Sequence, residues 1–261
     1  MHPPAVAAIF SYGQPGPVAV NAASTTASLT KEELKTVAQG CLKFLQSYLQ
    51  NPLQVLGSGS VHDGDVMFSH FLVTATLCLG LAPRSQILQQ LRIGSSFVKG
   101  SDGLFWVLIR AEQSKNGKPT MFALASELTS AFDAYLQRVR PRMLGRLPPG
   151  AVHDYVFMKR SGAAPRTDFS SSTCLVTQTI LGKAVNAHQF RSAVITAFYE
   201  SGASQSEMDM LANIMAHNPA TAKSFYHKPV HTKAAVKASE RMVDLLLPQQ
   251  HRPEATGAAL G

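Results

Sequence analysis

His188-Gln189-Phe190-Arg191, then Leu211-Ala212-Asn213-Ile214-Met215-Ala216-His217, then Tyr226 nine residues on: this C-terminal series of polar residues, set among helically spaced apolar ones, decides how the chain is read. His188 and Arg191 stand three apart, so on a helix they share one face and reach the same anion. That geometry suits a phosphate clamp. A histidine, an arginine, a second histidine and a late tyrosine supply what covalent attack on a phosphodiester requires, namely cations for the charged oxygens, a proton acceptor and a hydroxyl nucleophile.

The block resembles the catalytic domain of the tyrosine recombinases, the integrases and recombinases that cut DNA through a phosphotyrosine. Their signature is a His-x-x-Arg pair, a downstream Leu-x-Gly-His element and a nucleophilic tyrosine shortly after that histidine. Ala216 stands here where glycine is usual, and the interval from Arg191 to His217 is a few residues longer than typical. The family places its first catalytic arginine after a buried apolar helix, and Leu79-Gly80-Leu81-Ala82-Pro83-Arg84-Ser85-Gln86-Ile87-Leu88-Gln89-Gln90-Leu91 matches that context with Arg84. Ile87 occupies the place of the usual acidic residue. A lysine on a β-hairpin comes next in the family, and Ser114-Lys115-Asn116-Gly117-Lys118 fits, with Lys115 the better match and Lys118 the fallback. Six positions in family order make the resemblance far more specific than any one motif. It covers roughly residues 28 to 247.

The resemblance implies a mainly α fold with a small antiparallel β-sheet (α+β). It also implies a site-specific recombinase or integrase that cleaves and rejoins DNA through a 3′-phosphotyrosyl intermediate. Arg84 and Arg191 would grip the nonbridging oxygens, Tyr226 would attack, and His188 would take or relay its proton. His217 would hydrogen-bond a phosphate oxygen, and Lys115 would protonate the leaving 5′-oxygen. No cofactor is implied, because the phosphotyrosine stores the bond energy for religation. The implied partners are double-stranded DNA and further copies of the chain, assembled as a tetrameric synapse on DNA, with no membrane. An alternative is a catalytically inactive DNA-binding protein that retains the fold, the departures at Ile87 and Ala216 reporting lost chemistry. Residues 1 to 27 read as a disordered lead, too short for the core-binding domain such enzymes usually carry, and residues 248 to 261 as a flexible tail.

Composition agrees with this reading. A chain of 261 residues with 45% hydrophobic content supports a sizeable core in one large domain or two small ones. Lys and Arg total 24 against 16 Asp and Glu, a net charge of +8. The excess is uneven. Between Arg138 and Arg191 there are nine basic residues (Arg138, Arg140, Arg142, Arg146, Lys159, Arg160, Arg166, Lys183, Arg191) against Asp154 and Asp168. Such a zone favours a polyanion, whose condensed counterions are released on binding. A solvated basic face is the plainer reading of the same charges.

Cys41, Cys78 and Cys174 are scattered and odd in number, which argues against a disulfide framework and against a structural zinc site. An intracellular setting follows, nuclear in a eukaryote and cytoplasmic in a bacterium. His217, His227 and His231 lack the carboxylates or thiolates that would complete a metal site. The stretch from Val66 to Ala82 carries no formal charge and approaches membrane-spanning length, but it contains Ser69, His70, Thr74 and Thr76 and runs directly into Pro83-Arg84. A buried core helix that delivers Arg84 is the better account.

Thr30 and Glu33 form a capping-box signal, and Leu34, Val37, Ala38, Cys41, Leu42, Leu45 and Leu49 repeat at helical spacing after them. Asn51 to Asp65 reads as a loop, followed by a helix to Leu81 and a short helix or turn after Arg84. Leu104 to Ile109 and Thr120 to Leu124 read as strands about an Asn116-Gly117 turn. Ser126 to Arg140 reads as a helix ended by Pro141. Further helices are expected from Cys174 to Val185, from an Asn186 cap through Arg191, from Ser204 or Ser206 to His217, and from Thr232 to Leu247. Thr221 is expected to start a short helix bearing Tyr226. The apolar face of the last helix fits docking either in trans on a neighbour or on its own domain.

Overall fold

Thr30 caps the first helix as its sequence predicts. The Glu33 N–H donates to Thr30 Oγ1 at 3.2 Å, and the Thr30 N–H donates to Glu33 Oε2 at 2.8 Å. In the computed structural model, which describes residues 29–52, 60–113, 117, 119–215 and 230–248, this helix is α1 (Lys31–Gln50). Its predicted stripe is buried from Leu34 to Leu45, and Phe44 and Tyr48 join it. The stripe packs against α2 (Val61–Leu79), whose burial runs almost all round. Phe44 and Phe71 stack across the two helices at 3.9 Å between ring centres.

Helix α2 begins inside the stretch expected to be a loop, and the reason is local. Ser60 accepts from the Asp63 N–H at 3.1 Å, and this cap starts the helix despite the Gly and Ser around it. Its buried threonines satisfy themselves, since Thr74 donates to the His70 carbonyl at 3.1 Å and Thr76 to that of Leu72 at 2.7 Å. α2 is the core helix expected. Among the described residues no helix is long and apolar enough to cross a membrane.

The short helix α3 (Ser85–Gln90) leads to a three-stranded antiparallel sheet of β1 (Phe97–Lys99), β2 (Phe105–Ile109) and β3 (Thr120–Ala123), in that order. The hairpin expected from the sequence pairs Trp106 with Ala123 and Ile109 with Thr120. Three residues of β1 offer too few alternations to be legible, yet Phe97 pairs with Val107 and stacks on Phe105 at 4.9 Å. Both rings pack on Phe132 of α4 (Thr129–Ala134).

Pro141 does not end the helix that follows the sheet. A π-helical turn over Tyr135–Val139 intervenes, with the Arg140 N–H donating to the Tyr135 carbonyl, and the chain continues as α5 (Arg140–Leu144). The wide turn restarts the helix, which places Pro141 in a first turn, where a missing N–H costs nothing. Helix α6 (Phe169–Leu181) begins earlier than the serine-rich sequence suggests. Ser172 Oγ donates to the Asp168 carbonyl at 2.8 Å, and Gly182, at φ +72, ends the helix short of Val185.

The remaining described helices are α7 (Ala187–Glu200), α8 (Gln205–Met215) and α9 (Val230–Leu246). Ser204 is the residue that starts α8, its hydroxyl and N–H both reaching Glu207 Oε2, at 2.6 and 2.7 Å. α9 packs in cis against α1, α2, α8 and β3, burying Ala238, Met242 and Leu246. Ser239 Oγ donates to the Ala123 carbonyl at 3.1 Å, tying α9 to the sheet. The architecture is mainly α with a small antiparallel sheet, as expected.

Candidate functional site

Arg84 owes its position to the turn that leaves α2. Gly80 closes α2 at φ −103, and a Cβ there would meet the Thr76 carbonyl oxygen at 2.5 Å and Leu124 Cδ2 at 2.9 Å. Glycine is therefore required for space and not for conformation. The left-handed conformations fall instead on Leu81 (φ 61) and Ala82 (φ 46), both fully buried. Two consecutive non-glycine residues in that region store strain, of order 1 kcal/mol each, which the surrounding packing overcomes. The reversal ends at buried Pro83 and leaves Arg84 half-buried at the N-cap of α3. The Arg84 carbonyl accepts from the Ile87 and Leu88 N–H groups at 2.9 and 3.2 Å, and Leu88 is anchored in the core.

Arg191 sits on the second turn of α7, half-buried. The helix is fixed by the expected Asn186 cap, with the Gln189 N–H donating to Asn186 Oδ1 at 2.9 Å, and by buried Ala187, Phe190 and Val194. Burial pushes the Arg191 pKa down to about 10, and the neighbouring charge of Arg84 adds to that lowering. The fold thus brings the two arginines, distant in sequence, within electrostatic reach of each other. Arg191 remains cationic at neutral pH. His188 lies one turn before Arg191 on the same helix and is exposed.

Three predicted residues fall elsewhere. Lys115, with its fallback Lys118, His217 and Tyr226 lie outside the described residues, as do Ala216 and the short helix expected to carry the tyrosine. Gly117, in the middle of the β2–β3 connection, has φ +67, the left-handed conformation such a turn uses. Tyr199, near the end of α7, is 49% exposed. Ile87, where the resemblance calls for a carboxylate, is packed into the core.

The basic zone from Arg138 to Arg191 is less available than its sequence suggests. Arg140 is buried and donates to the Tyr155 and His153 carbonyls at 3.0 and 2.5 Å. Arg142 grips buried Asp65 with both arms, at 2.8 and 2.5 Å, and Lys183 pairs with Glu33 at 2.6 Å. Arg166 is 2% exposed and braces the inside of the protein. It donates to Asp168 at 2.8 Å, Ser69 at 2.8 Å, His70 Nδ1 at 2.7 Å and Ser172 at 2.5 Å. Burial, with Arg166 alongside, lowers the His70 pKa to about 3, so its imidazole is neutral and accepts at Nδ1. Sequence reasoning missed this brace because its members sit on two stretches of chain far apart in sequence, Ser69-His70 and Arg166 to Ser172.

Among the described residues, no group of three or more His, Cys, Asp or Glu side chains is placed to hold a metal ion. No protein-family model matches the sequence, and no curated protein is similar to it. Solved structures similar to this one include the XerH site-specific recombinase bound to its difH substrate in a pre-cleavage complex, at 17% identity and a TM-score of 0.48 over 73% of this chain. They also include the XerA recombinase, at 16% identity and a TM-score of 0.45 over 87% of this chain. The chain spans 47% of the length of the first and 65% of the second.

Proposed function

We propose that the protein is a site-specific recombinase or integrase that cleaves and rejoins double-stranded DNA through a 3′-phosphotyrosyl intermediate. The observation that carries this reading is that Arg84, on the turn after α2, comes within electrostatic reach of the partly desolvated Arg191 on α7. An anion between like charges relieves their repulsion, and a phosphodiester's nonbridging oxygens match two planar forks. The electrostatic gain is largest in the transition state, where the phosphoryl group carries most charge.

In the proposed reaction Tyr226 attacks the phosphorus in line and its phenolic proton passes to His188. The 5′-oxygen leaves with a proton from Lys115, and His217 hydrogen-bonds a nonbridging oxygen. The reverse attack by a 5′-hydroxyl on the phosphotyrosine rejoins the strand. A free phenol has a pKa near 10, so activating a tyrosine depends on a nearby base and a cationic field. A homo-oligomer on DNA, assembled as a tetrameric synapse, belongs to the same reading.

A second reading, a DNA-binding protein that has lost the chemistry, is favoured by Ile87, whose burial puts an apolar side chain where a carboxylate would steady Arg84. A nicked suicide substrate separates the two. A covalent protein–DNA adduct in the parent that disappears in Tyr226→Phe supports strand cleavage. Salt-sensitive binding without an adduct supports the second reading, and the absence of both would leave an unrelated helical interaction protein.

A further inference from the structure

We propose that the open cleft lined by His62, Arg146, Lys159 and Arg160 binds a phosphate group, at a site separate from the Arg84 and Arg191 pair. Three segments build it: the first turn of α2, the residues just after α5, and the turn that leads towards α6. The cleft holds about 560 Å³, ample for a phosphate with part of a larger molecule attached.

Its charge is net positive after local pairing is counted. Arg160 pairs with Asp63 at 2.6 Å, and Asp168, which also lines the cleft, is held by Arg166 at 2.8 Å. Four cations (Arg146, Lys159, Arg160, Arg166) against two carboxylates (Asp63, Asp168) leave an excess of two. Arg146 and Lys159 are exposed and in no ion pair among the described residues, so their donors are available to an incoming anion.

His62 supplies an independent sign. Its Nδ1 is buried and, among the described residues, without a hydrogen-bond partner. Burial lowers its pKa first and the charges of Arg146 and Arg160 lower it further, while Asp63 and Asp65 act the other way. Both guanidiniums therefore act on the imidazole, and a phosphate beside them would offset that field and favour the imidazolium.

The site is remote from the arginine pair. His62 opens a helix about 28 Å long at 1.5 Å per residue, and Arg84 follows the other end of it. The charges that act on Arg191 do not include any cleft residue, and those that act on His62 include neither Arg84 nor Arg191. This inference stands without the recombinase reading.

The phosphate source is either a nucleic-acid backbone or a small phosphorylated molecule, and one experiment distinguishes them. The His62 ring signal, assigned with His62→Gln, is followed by NMR during titration with inorganic phosphate at constant ionic strength, and separately with a short DNA duplex. A saturable shift with a rise in the His62 pKa is expected, its midpoint about tenfold higher in Arg146→Ala/Lys159→Ala, whose two exposed substitutions leave the melting temperature unchanged. A response to the duplex assigns the source to a backbone, and a response to phosphate alone assigns it to a small ligand; either supports the site. No saturable shift with either probe, or the same midpoint in the double variant, overturns it. Neither readout involves Tyr226 or a covalent adduct, so a failure of strand cleavage and a failure of this site are told apart.

Discussion

Arg84 and Arg191 lie close enough that the charge of the first helps to depress the pKa of the second, on top of what burial does. Each is held by its own backbone device, the left-handed Leu81-Ala82 turn for Arg84 and the Asn186 capping box for Arg191. In the proposed site, like charges brought within electrostatic reach of each other by two rigid elements would favour an anion.

Replacing either arginine by alanine should therefore abolish activity without destabilising the protein. Adduct formation on a suicide substrate should fall by a factor of about 10² or more in Arg84→Ala and in Arg191→Ala. The melting temperature of Arg84→Ala should stay within a few degrees of the parent, because the side chain is only half-buried. A fall of several degrees in Arg84→Ala would show that the arginine serves the fold and not an anion.

Gly80 and Ala82 should respond in opposite directions to exchanging glycine and alanine. Gly80→Ala drives a Cβ into the Thr76 carbonyl and Leu124 and should cost about 2 kcal/mol or more. Ala82→Gly removes the left-handed strain at φ 46 and should be neutral or stabilising by up to about 1 kcal/mol. Denaturant unfolding of the two variants checks the sign of each. Loosening the turn in Ala82→Gly should also slow adduct formation, since the turn aims Arg84.

Stability should decline in acid because of His70. Its folded pKa, about 3, lies below its unfolded value near 6.5, so the unfolded chain binds the proton first. The contribution is complete above pH 6.5 and is lost as pH falls towards 3, with a slope of up to about 1.4 kcal/mol per pH unit. His70→Asn keeps an acceptor for Arg166 and cannot titrate. Urea unfolding at a series of pH values should show a flatter acid limb in that variant, and an identical limb would sink the assignment.

Arg166 should behave as a core residue despite its charge. Arg166→Met leaves Asp168, Ser69, His70 and Ser172 without their shared donor and should cost about 3 kcal/mol or more. Arg166→Lys should recover only part of this, because an ammonium cannot span the fork. Arg166→Lys keeps the charge, so it should leave the salt dependence of the proposed DNA binding unchanged per folded molecule, measured as the slope of log affinity against log salt.

Local chemistry was legible in the sequence wherever a few neighbouring residues decide the outcome. The Thr30 and Asn186 caps, the buried stripe of α1, the core helix before Arg84 and the β2–β3 hairpin all follow from propensities and spacings acting over one or two turns. The shared face of His188 and Arg191 follows in the same way. Tertiary contacts decided the rest. The π turn that carries the helix past Pro141 lies where Tyr135 and Arg140 donate to the carbonyls of Val156 and Tyr155, α6 starts beside the Arg166 brace, and β1 is held by its pairing to β2 and by Phe97 packing on Phe132. The fate of each charge was decided in the same way. Arg140, Arg142 and Arg166 look alike in the basic zone, and only packing ties them to carbonyls, to Asp65 and to an interior brace, while the same packing brings Arg84 within electrostatic reach of Arg191. Sequence fixes the sign of a charge, but its solvation and its partners are set by what the folded chain brings alongside it.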